Sequence, residues 1–144
     1  MAVILASSCL LGCECRYKGD GCKCDALIKL AESNTIIGVC PEQMGGLPTP
    51  RDPAERQGDK VISCAGKDVT EEYTKGAETA LYFAKLNHVD FAVMKAKSPS
   101  CGKGLIYDGT FTGNKIPGNG VTVELLNANG IPVFTEDELD QLPL

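Results

Sequence analysis

Ala2-Val3-Ile4-Leu5-Ala6-Ser7-Ser8-Cys9 is a short apolar run that ends in small residues and a cysteine. It is apolar at successive positions rather than at alternate ones, which is typical of a strand buried on both faces of a parallel sheet. Residues 35–39, 91–94 and 131–134 form three further runs of this kind. We therefore predict a mostly parallel, Rossmann-like sheet of about four strands.

Helical patterns separate the four runs. In the clearest, at residues 70–87, an apolar face recurs at helical spacing behind a capping box of Asp68 and Glu71. The other predicted helices lie at about residues 25–32, after Asn119 and from Thr135. Strands that alternate with helices predict an α/β fold, a three-layer sandwich, here in one domain spanning residues 1–144.

Two segments lie outside this alternation. Residues 105–112 hold Asp108-Gly109 between two β-prone runs, which predicts a small β-hairpin. Residues 41–59 are rich in Pro, Gly and charge and have no period. We predict a long ordered loop or a lid there, and long loops in compact domains are often functional.

The 144 residues carry a net charge of -5 and include eight cysteines. The acidic balance argues against a chain whose main function is to bind nucleic acid. No apolar run approaches the roughly 20 residues that span a bilayer, and the first run is too short and lacks the basic residues of a signal sequence. We therefore expect a cytoplasmic protein without a membrane segment, where many cysteines favour metal or redox chemistry over disulfides.

Three cysteines stand just beyond predicted strands: Cys9 after the first, Cys40 after the second and Cys101 a few residues after the third. Because parallel strands end at one edge of a sheet, we expect these thiols to converge. Three thiolates suit a soft metal or an iron–sulfur cluster. Three ligands on a four-iron cluster would leave one iron open to substrate. The competing interpretation is that these are buried free cysteines acting as small hydrophobes.

Four further cysteines lie in one loop as two Cys-x-Cys pairs, Cys13, Cys15, Cys22 and Cys24. They could hold a second metal such as zinc, although this spacing is tighter than that of most structural zinc sites. The alternative is a loop that tolerates thiols. Arg51, Lys97 and Lys103 could form a phosphate-binding rim, but solvated surface charge is the favoured interpretation.

Six ordered motifs run along nearly the whole chain. They are Ser8-Cys9-Leu10-Leu11-Gly12 with Cys15-Arg16-Tyr17, then Cys40-Pro41-Glu42 with Gly45-Gly46-Leu47 and Pro50-Arg51, then Gly66-Lys67-Asp68-Val69-Thr70, then Ser98-Pro99-Ser100-Cys101-Gly102, then Ile106-Tyr107-Asp108-Gly109, and last Gly118-Asn119-Gly120-Val121-Thr122. With these motifs the chain resembles the thiouracil desulfidase family.

The resemblance implies a 4Fe–4S cluster on Cys9, Cys40 and Cys101. It also implies non-redox desulfuration of a thiolated pyrimidine, thiouracil or its nucleotide, with release of hydrosulfide. Carried over by motif, Glu42 and Ser98 are expected to be the acid–base residues. Ser8 and Ser100, which belong to the same motifs, are expected to contact the substrate.

An alternative from another class is a non-catalytic module, in which zinc or a cluster holds loops together or senses redox state. A thiol–disulfide enzyme is disfavoured, because the chain has no Cys-x-x-Cys motif. The acidic composition favours a small thiolated pyrimidine over thiolated RNA as the partner. Both a monomer and a homodimer are compatible with the sequence.

Overall fold

A computed structural model, which describes all of residues 1–144, has a four-stranded parallel sheet at its centre. Its strands are β1 (Val3–Ser7), β2 (Thr35–Val39), β5 (Phe91–Met94) and β8 (Val133–Thr135), in the order β2-β1-β5-β8. β1 pairs with β2 and β5, and β5 pairs with β8. The predicted parallel sheet of four strands is confirmed.

Side chains of the central strands point alternately into two separate cores, as the pleat of a strand requires. Leu5 of β1 and Ala92 of β5 enter one core. Ile4 of β1 and Phe91 of β5 enter the other. Because both faces are buried, these strands are continuous apolar runs, and the predicted three-layer α/β arrangement is confirmed.

Helices cover both faces of the sheet. The long helix α3 (Thr70–Leu86) and α4 (Val121–Ala128) pack on the first core. The short helix α1 (Asp25–Lys29) reaches the second core through Leu27. Another short helix, α2 (Pro41–Met44), packs against α3. The remaining helical turns are 3-10 helices at Ser8–Leu11, Leu30–Glu32 and Glu136–Gln141.

The start of α3 differs in one detail from the prediction. Asp68 Oδ1 accepts a hydrogen bond from the amide of Thr70 at 2.9 Å, and Val69 stands at the cap without a side-chain cap bond. The capping box expected between Asp68 and Glu71 is therefore absent, because Asp68 lies one residue too early. A capping box does form at the last 3-10 helix, between Thr135 and Glu138.

Two small antiparallel ribbons complete the fold. β3 (Ala54–Gln57) pairs with β4 (Lys60–Ser63), and β6 (Leu105–Tyr107) pairs with β7 (Lys115–Pro117). The predicted hairpin is thus present, but its second strand lies further along the chain. Asp108 begins a wider loop because its carboxylate accepts hydrogen bonds from Thr110 and Asn114.

The prediction of a long ordered loop or a lid at residues 41–59 is only partly right, because two regular elements lie within it. The helix α2 occupies its beginning and β3 its end. Both elements are too short to produce a detectable period, which is why the sequence pattern missed them. As to a membrane, none of the helices combines the length and the apolar character that a crossing would need.

Candidate active site

A cavity of about 520 Å³ opens where three strands of the central sheet end. Its wall includes Ser7 at the end of β1, Val39 at the end of β2 and Lys95 directly after β5. Parallel α/β sheets bind ligands at this edge. The volume falls within the range of small-molecule sites, about 300–1,000 Å³.

Three thiols reach this cavity from the ends of three strands. Cys9 lies in the 3-10 turn that follows β1, Cys40 stands between β2 and the first residue of α2, and Cys101 follows β5 after a loop. In that loop Ser98 Oγ accepts the amide hydrogen of Cys101 at 3.0 Å, which fixes the cysteine's backbone. The structure therefore brings together the three thiols expected to converge.

A fourth thiol, Cys15, lines the same cavity and is 2% exposed. It lies near two of the others, since Cys9 and Cys40 are among the neighbours that shift its pKa. The Cys40 thiol also lies 3.8 Å from the carbonyl oxygen of Cys15. The sequence paired Cys15 with Cys13 as a Cys-x-Cys motif. In the fold only Cys15 lines the cavity, whereas Cys13 is exposed.

The protonation of these thiols is set by burial and by their neighbours. A hydrogen bond from Cys40 lowers the pKa of Cys15, but the hydrogen bond with Cys9 and burial outweigh it and raise that pKa to about 12. The hydrogen bond with Cys15, together with burial, raises the pKa of Cys40. Burial raises the pKa of Cys101 to about 12. In the metal-free protein the thiols of Cys15, Cys40 and Cys101 are thus held in the protonated form.

The spacing of the thiols bears on what they could hold. The chain has no group of three or more His, Cys, Asp or Glu side chains at the spacing of a single metal ion. The second metal site considered for Cys13, Cys15, Cys22 and Cys24 is therefore not assembled. A four-iron cluster is wider than one ion, so its ligands stand further apart, and the soft sulfur donors at the cavity match its preference for thiolates.

A carboxylate is clamped beside the thiols. Glu42 lies in the first turn of α2 and lines the cavity. Tyr73 of α3 donates its hydroxyl hydrogen to Glu42 Oε1 at 3.0 Å, and Arg51 donates to Oε2 from Nε at 3.0 Å and also from Nη2. The carboxylate is thus fixed at both oxygens.

Arg51 corrects an expectation drawn from the sequence. Its side chain is only 6% exposed, so it is not a solvated surface charge. Burial lowers the pKa of Arg51, but the negative charge of Glu42 outweighs burial and raises it. Its Nη2 also donates to the carbonyl oxygen of Cys15 at 3.0 Å. Arg51 therefore joins the carboxylate to the cysteine loop. Lys103 is paired as well, with Glu138 at 2.9 Å.

The three expected serines differ in their surroundings. Ser8 and Ser98 line the cavity. Ser98 Oγ accepts hydrogen bonds from the amides of Ser100 and Cys101, so its own hydroxyl hydrogen remains available. Ser100 is fully buried and pairs with Thr122 at 2.8 Å. The structure does not bring Ser100 to the cavity wall.

Fold and cavity together define a class: an α/β protein with a thiol-lined ligand site at the carboxyl edge of a parallel sheet, next to a clamped carboxylate. The model of the 2-thiouracil desulfurase family matches residues 4–138. The chain therefore belongs to the 2-thiouracil desulfurase family.

Two relatives are similar to this chain over nearly their whole length. The Bacillus subtilis (strain 168) protein YbbK is 43% identical over 150 residues, which cover 97% of this chain and 99% of YbbK. A solved structure of the 4Fe–4S-dependent thiouracil desulfidase TudS is 45% identical and superposes with a TM-score of 0.94, over 99% of this chain and 95% of that one.

Proposed function

We propose that this protein removes sulfur from a thiolated pyrimidine, thiouracil or a thiouracil nucleotide, and that it needs a 4Fe–4S cluster held by Cys9, Cys40 and Cys101. The observation that carries the proposal is the set of three strand-end thiols in one cavity with the clamped Glu42. Membership of the 2-thiouracil desulfurase family and likeness to TudS support the same chemistry.

The overall reaction exchanges the sulfur of a C=S group for the oxygen of water. A thiocarbonyl and one water give a carbonyl and hydrogen sulfide or hydrosulfide, so no electrons are gained or lost. When bound, the cluster would supply a Lewis-acidic iron for which the soft sulfur of a thiocarbonyl is a suitable ligand. The chain's own residues must then position water and move protons.

Glu42 is the residue proposed to take a proton from the attacking water. A carboxylate offers about four lone-pair sites, and Arg51 and Tyr73 occupy three of them. Oε1 accepts only the Tyr73 hydroxyl, so it retains a lone pair for a water molecule. Because both oxygens are held, the remaining site keeps a fixed direction, which is what a general base requires.

Ser98 is the residue proposed to donate to the substrate. Its oxygen is engaged by two backbone amides, which orient the hydroxyl and leave its hydrogen to donate to a ring oxygen, a ring nitrogen or the departing sulfur. Ser8, also at the cavity wall, remains a candidate for substrate contact. Ser100, buried against Thr122, is proposed to support Cys101 instead.

The test begins with protein purified without oxygen. We expect about four iron and four acid-labile sulfide ions per chain, with release of hydrosulfide from 2-thiouracil. Iron should fall sharply in Cys9→Ser, Cys40→Ser and Cys101→Ser. Cys13→Ser is the matched control, because Cys13 is exposed and lies outside the cavity wall. Zinc in place of iron, or iron that none of the three changes removes, would overturn the proposal in favour of a structural metal module.

A further inference from the structure

Backbone conformations that are unfavourable for most residues occur in the cavity wall. Three residues other than glycine have positive φ: His88 (φ 51°), Lys97 (φ 68°) and Phe111 (φ 58°). His88 follows the end of α3, a common place for such a conformation. Lys97 and Phe111 both line the cavity. Strained residues tend to lie at functional sites, and for a bulky aromatic residue this conformation is an outlier.

The loop that carries Phe111 is held in place by β3. Glu55 Oε1 accepts hydrogen bonds from the amides of Gly109 at 3.0 Å and Phe111 at 3.2 Å. Gln57 Nε2 donates to the carbonyl oxygen of Gly109 at 2.9 Å. The β3 side chains therefore hold the loop between β6 and β7 in the form that aims Phe111 at the cavity.

Phe111 is also the aromatic ring in the cavity wall without a polar or charged partner. Tyr73 is buried and bonded to Glu42. Lys18 lies 5.7 Å from the ring centre of Tyr17, and Lys115 lies 5.3 Å from that of Tyr107. Phe111 is 38% exposed, although phenylalanine is among the residues most often fully buried.

We infer that Phe111 is the stacking platform for the pyrimidine ring of the substrate, and that Glu55 is the positioning residue that aims it. The inference rests on the proposed function, because it takes a thiolated pyrimidine as the ligand. A flat ring stacks favourably on an aromatic face, whatever the identity of the base. Phe111 offers a partly exposed ring at the cavity wall, and the hydrogen-bonded loop limits the entropy lost when a ligand ring binds.

The first test is a substitution series at Phe111 in the cluster-loaded protein. With 2-thiouracil we expect KM to rise about 10-fold in Phe111→Leu, with kcat within about twofold and iron per chain unchanged. Phe111→Tyr, which keeps the aromatic face, should retain the wild-type KM. In Phe111→Gly the strained φ is relieved, so KM should rise while the melting temperature holds or increases. A melting temperature that falls sharply in Phe111→Gly would instead make Phe111 a structural residue.

A double-mutant cycle tests the positioning role of Glu55. Glu55→Ala should raise KM in the same direction as Phe111→Leu, and Glu55→Gln, which keeps an acceptor oxygen, should restore it. Since Glu55 acts through Phe111, Glu55→Ala should add little to KM in a Phe111→Leu background. Additive effects on KM would show that Glu55 acts by another route and would overturn its assignment.

These outcomes are distinguishable from failure of the proposed function. A cluster-loaded wild type that releases no hydrosulfide from 2-thiouracil or its nucleotide contradicts the proposed function. A wild type that is active, with the same KM in Phe111→Leu, contradicts only the stacking inference.

Discussion

Tyr73 Oη donates a hydrogen bond to Glu42 Oε1 over 3.0 Å, from the buried face of α3 to the first turn of α2. A core tyrosine thus orients a carboxylate at the cavity wall. Burial, together with the negative charge of Glu42, raises the pKa of Tyr73, so its hydroxyl remains a donor. The long helix therefore takes part in the site as well as in the core.

Tyr73→Phe should weaken catalysis without loss of the cluster. The substitution removes one oxygen and leaves Glu42 free to rotate about its contacts with Arg51. Because hydrogen bonds to charged groups contribute about 1.5–3 kcal/mol, we expect kcat to fall about 10-fold or more, with iron per chain unchanged. Tyr82→Phe on the same helix is the control, since Tyr82 is 60% exposed. Equal effects of the two changes would contradict the orienting role.

Glu42→Gln should nearly abolish turnover while iron and acid-labile sulfide stay at the wild-type level. The amide keeps the size of the side chain but cannot accept a proton from water, and general-base catalysis contributes about 100-fold or more. Single-turnover release of hydrosulfide from 2-thiouracil measures this step. Glu71→Gln, at an exposed position of α3, is the control. Turnover that survives in Glu42→Gln would assign the base to another group.

The sequence was sufficient to place two of the three strand-end thiols, and the reason is topological. Cys9 and Cys40 each follow a strand of the parallel sheet almost directly, and parallel strands present their carboxyl ends at one edge. Once a parallel sheet is predicted, convergence follows without knowledge of any loop. Cys101 stands several residues beyond the end of β5, and the structure, rather than the topology, shows that its loop returns to that edge.

The partners of Glu42 could not be predicted in this way. Tyr73 falls on the apolar face of α3. Helical spacing predicts that its ring packs in the core, but it does not predict the hydrogen-bond partner of its hydroxyl. Arg51 and Cys15 lie in segments without a period, and their positions depend on contacts between two loops, such as the bond from Arg51 to the Cys15 carbonyl. Loop paths are set by such tertiary contacts, and periodicity does not record them.

Cys15→Ala should retain the cluster. Cys15 lines the same cavity as Cys9 and Cys40, but it lies in a loop rather than at a strand end. The proposed mechanism also needs an iron without a protein ligand. We therefore expect about four irons per chain in Cys15→Ala, measured without oxygen beside Cys40→Ala. Iron that falls equally in both variants would make Cys15 a fourth ligand and would contradict an open iron.

The metal-free protein should lose stability as the pH rises above about 9. The pKa of Cys101 is about 12 in the folded chain against an ordinary value of 9.0. Below pH 9.0 the Cys101 thiol is protonated in both the folded and the unfolded chain. Its burial therefore does not reduce the free energy of unfolding in that range. Above that range the unfolded thiol loses its proton first, and the free energy of unfolding falls by up to about 1.4 kcal/mol per pH unit from this group.

Urea unfolding of the reduced, metal-free chain between about pH 8 and pH 10 measures this slope. Cys101→Ala should make the dependence on pH shallower, because the titrating group is gone. Cys64→Ala should leave it unchanged, because Cys64 is exposed. An identical slope in wild type and Cys101→Ala would show that other groups govern the alkaline transition.

Gly76→Ala should destabilise the protein, although the same change usually stabilises a helix by about 1 kcal/mol. An ideal Cβ at Gly76 would lie 1.8 Å from the carbonyl oxygen of Pro41, so α2 and α3 would have to separate. Forced separation of packed elements costs about 1–3 kcal/mol. Because Pro41 lies between Cys40 and Glu42, we expect iron content and turnover to fall together with the melting temperature. Thr74→Ala, at an exposed position of α3, should change neither. A more stable Gly76→Ala would mean that the close contact of the two helices does not hold Cys40 and Glu42 in place.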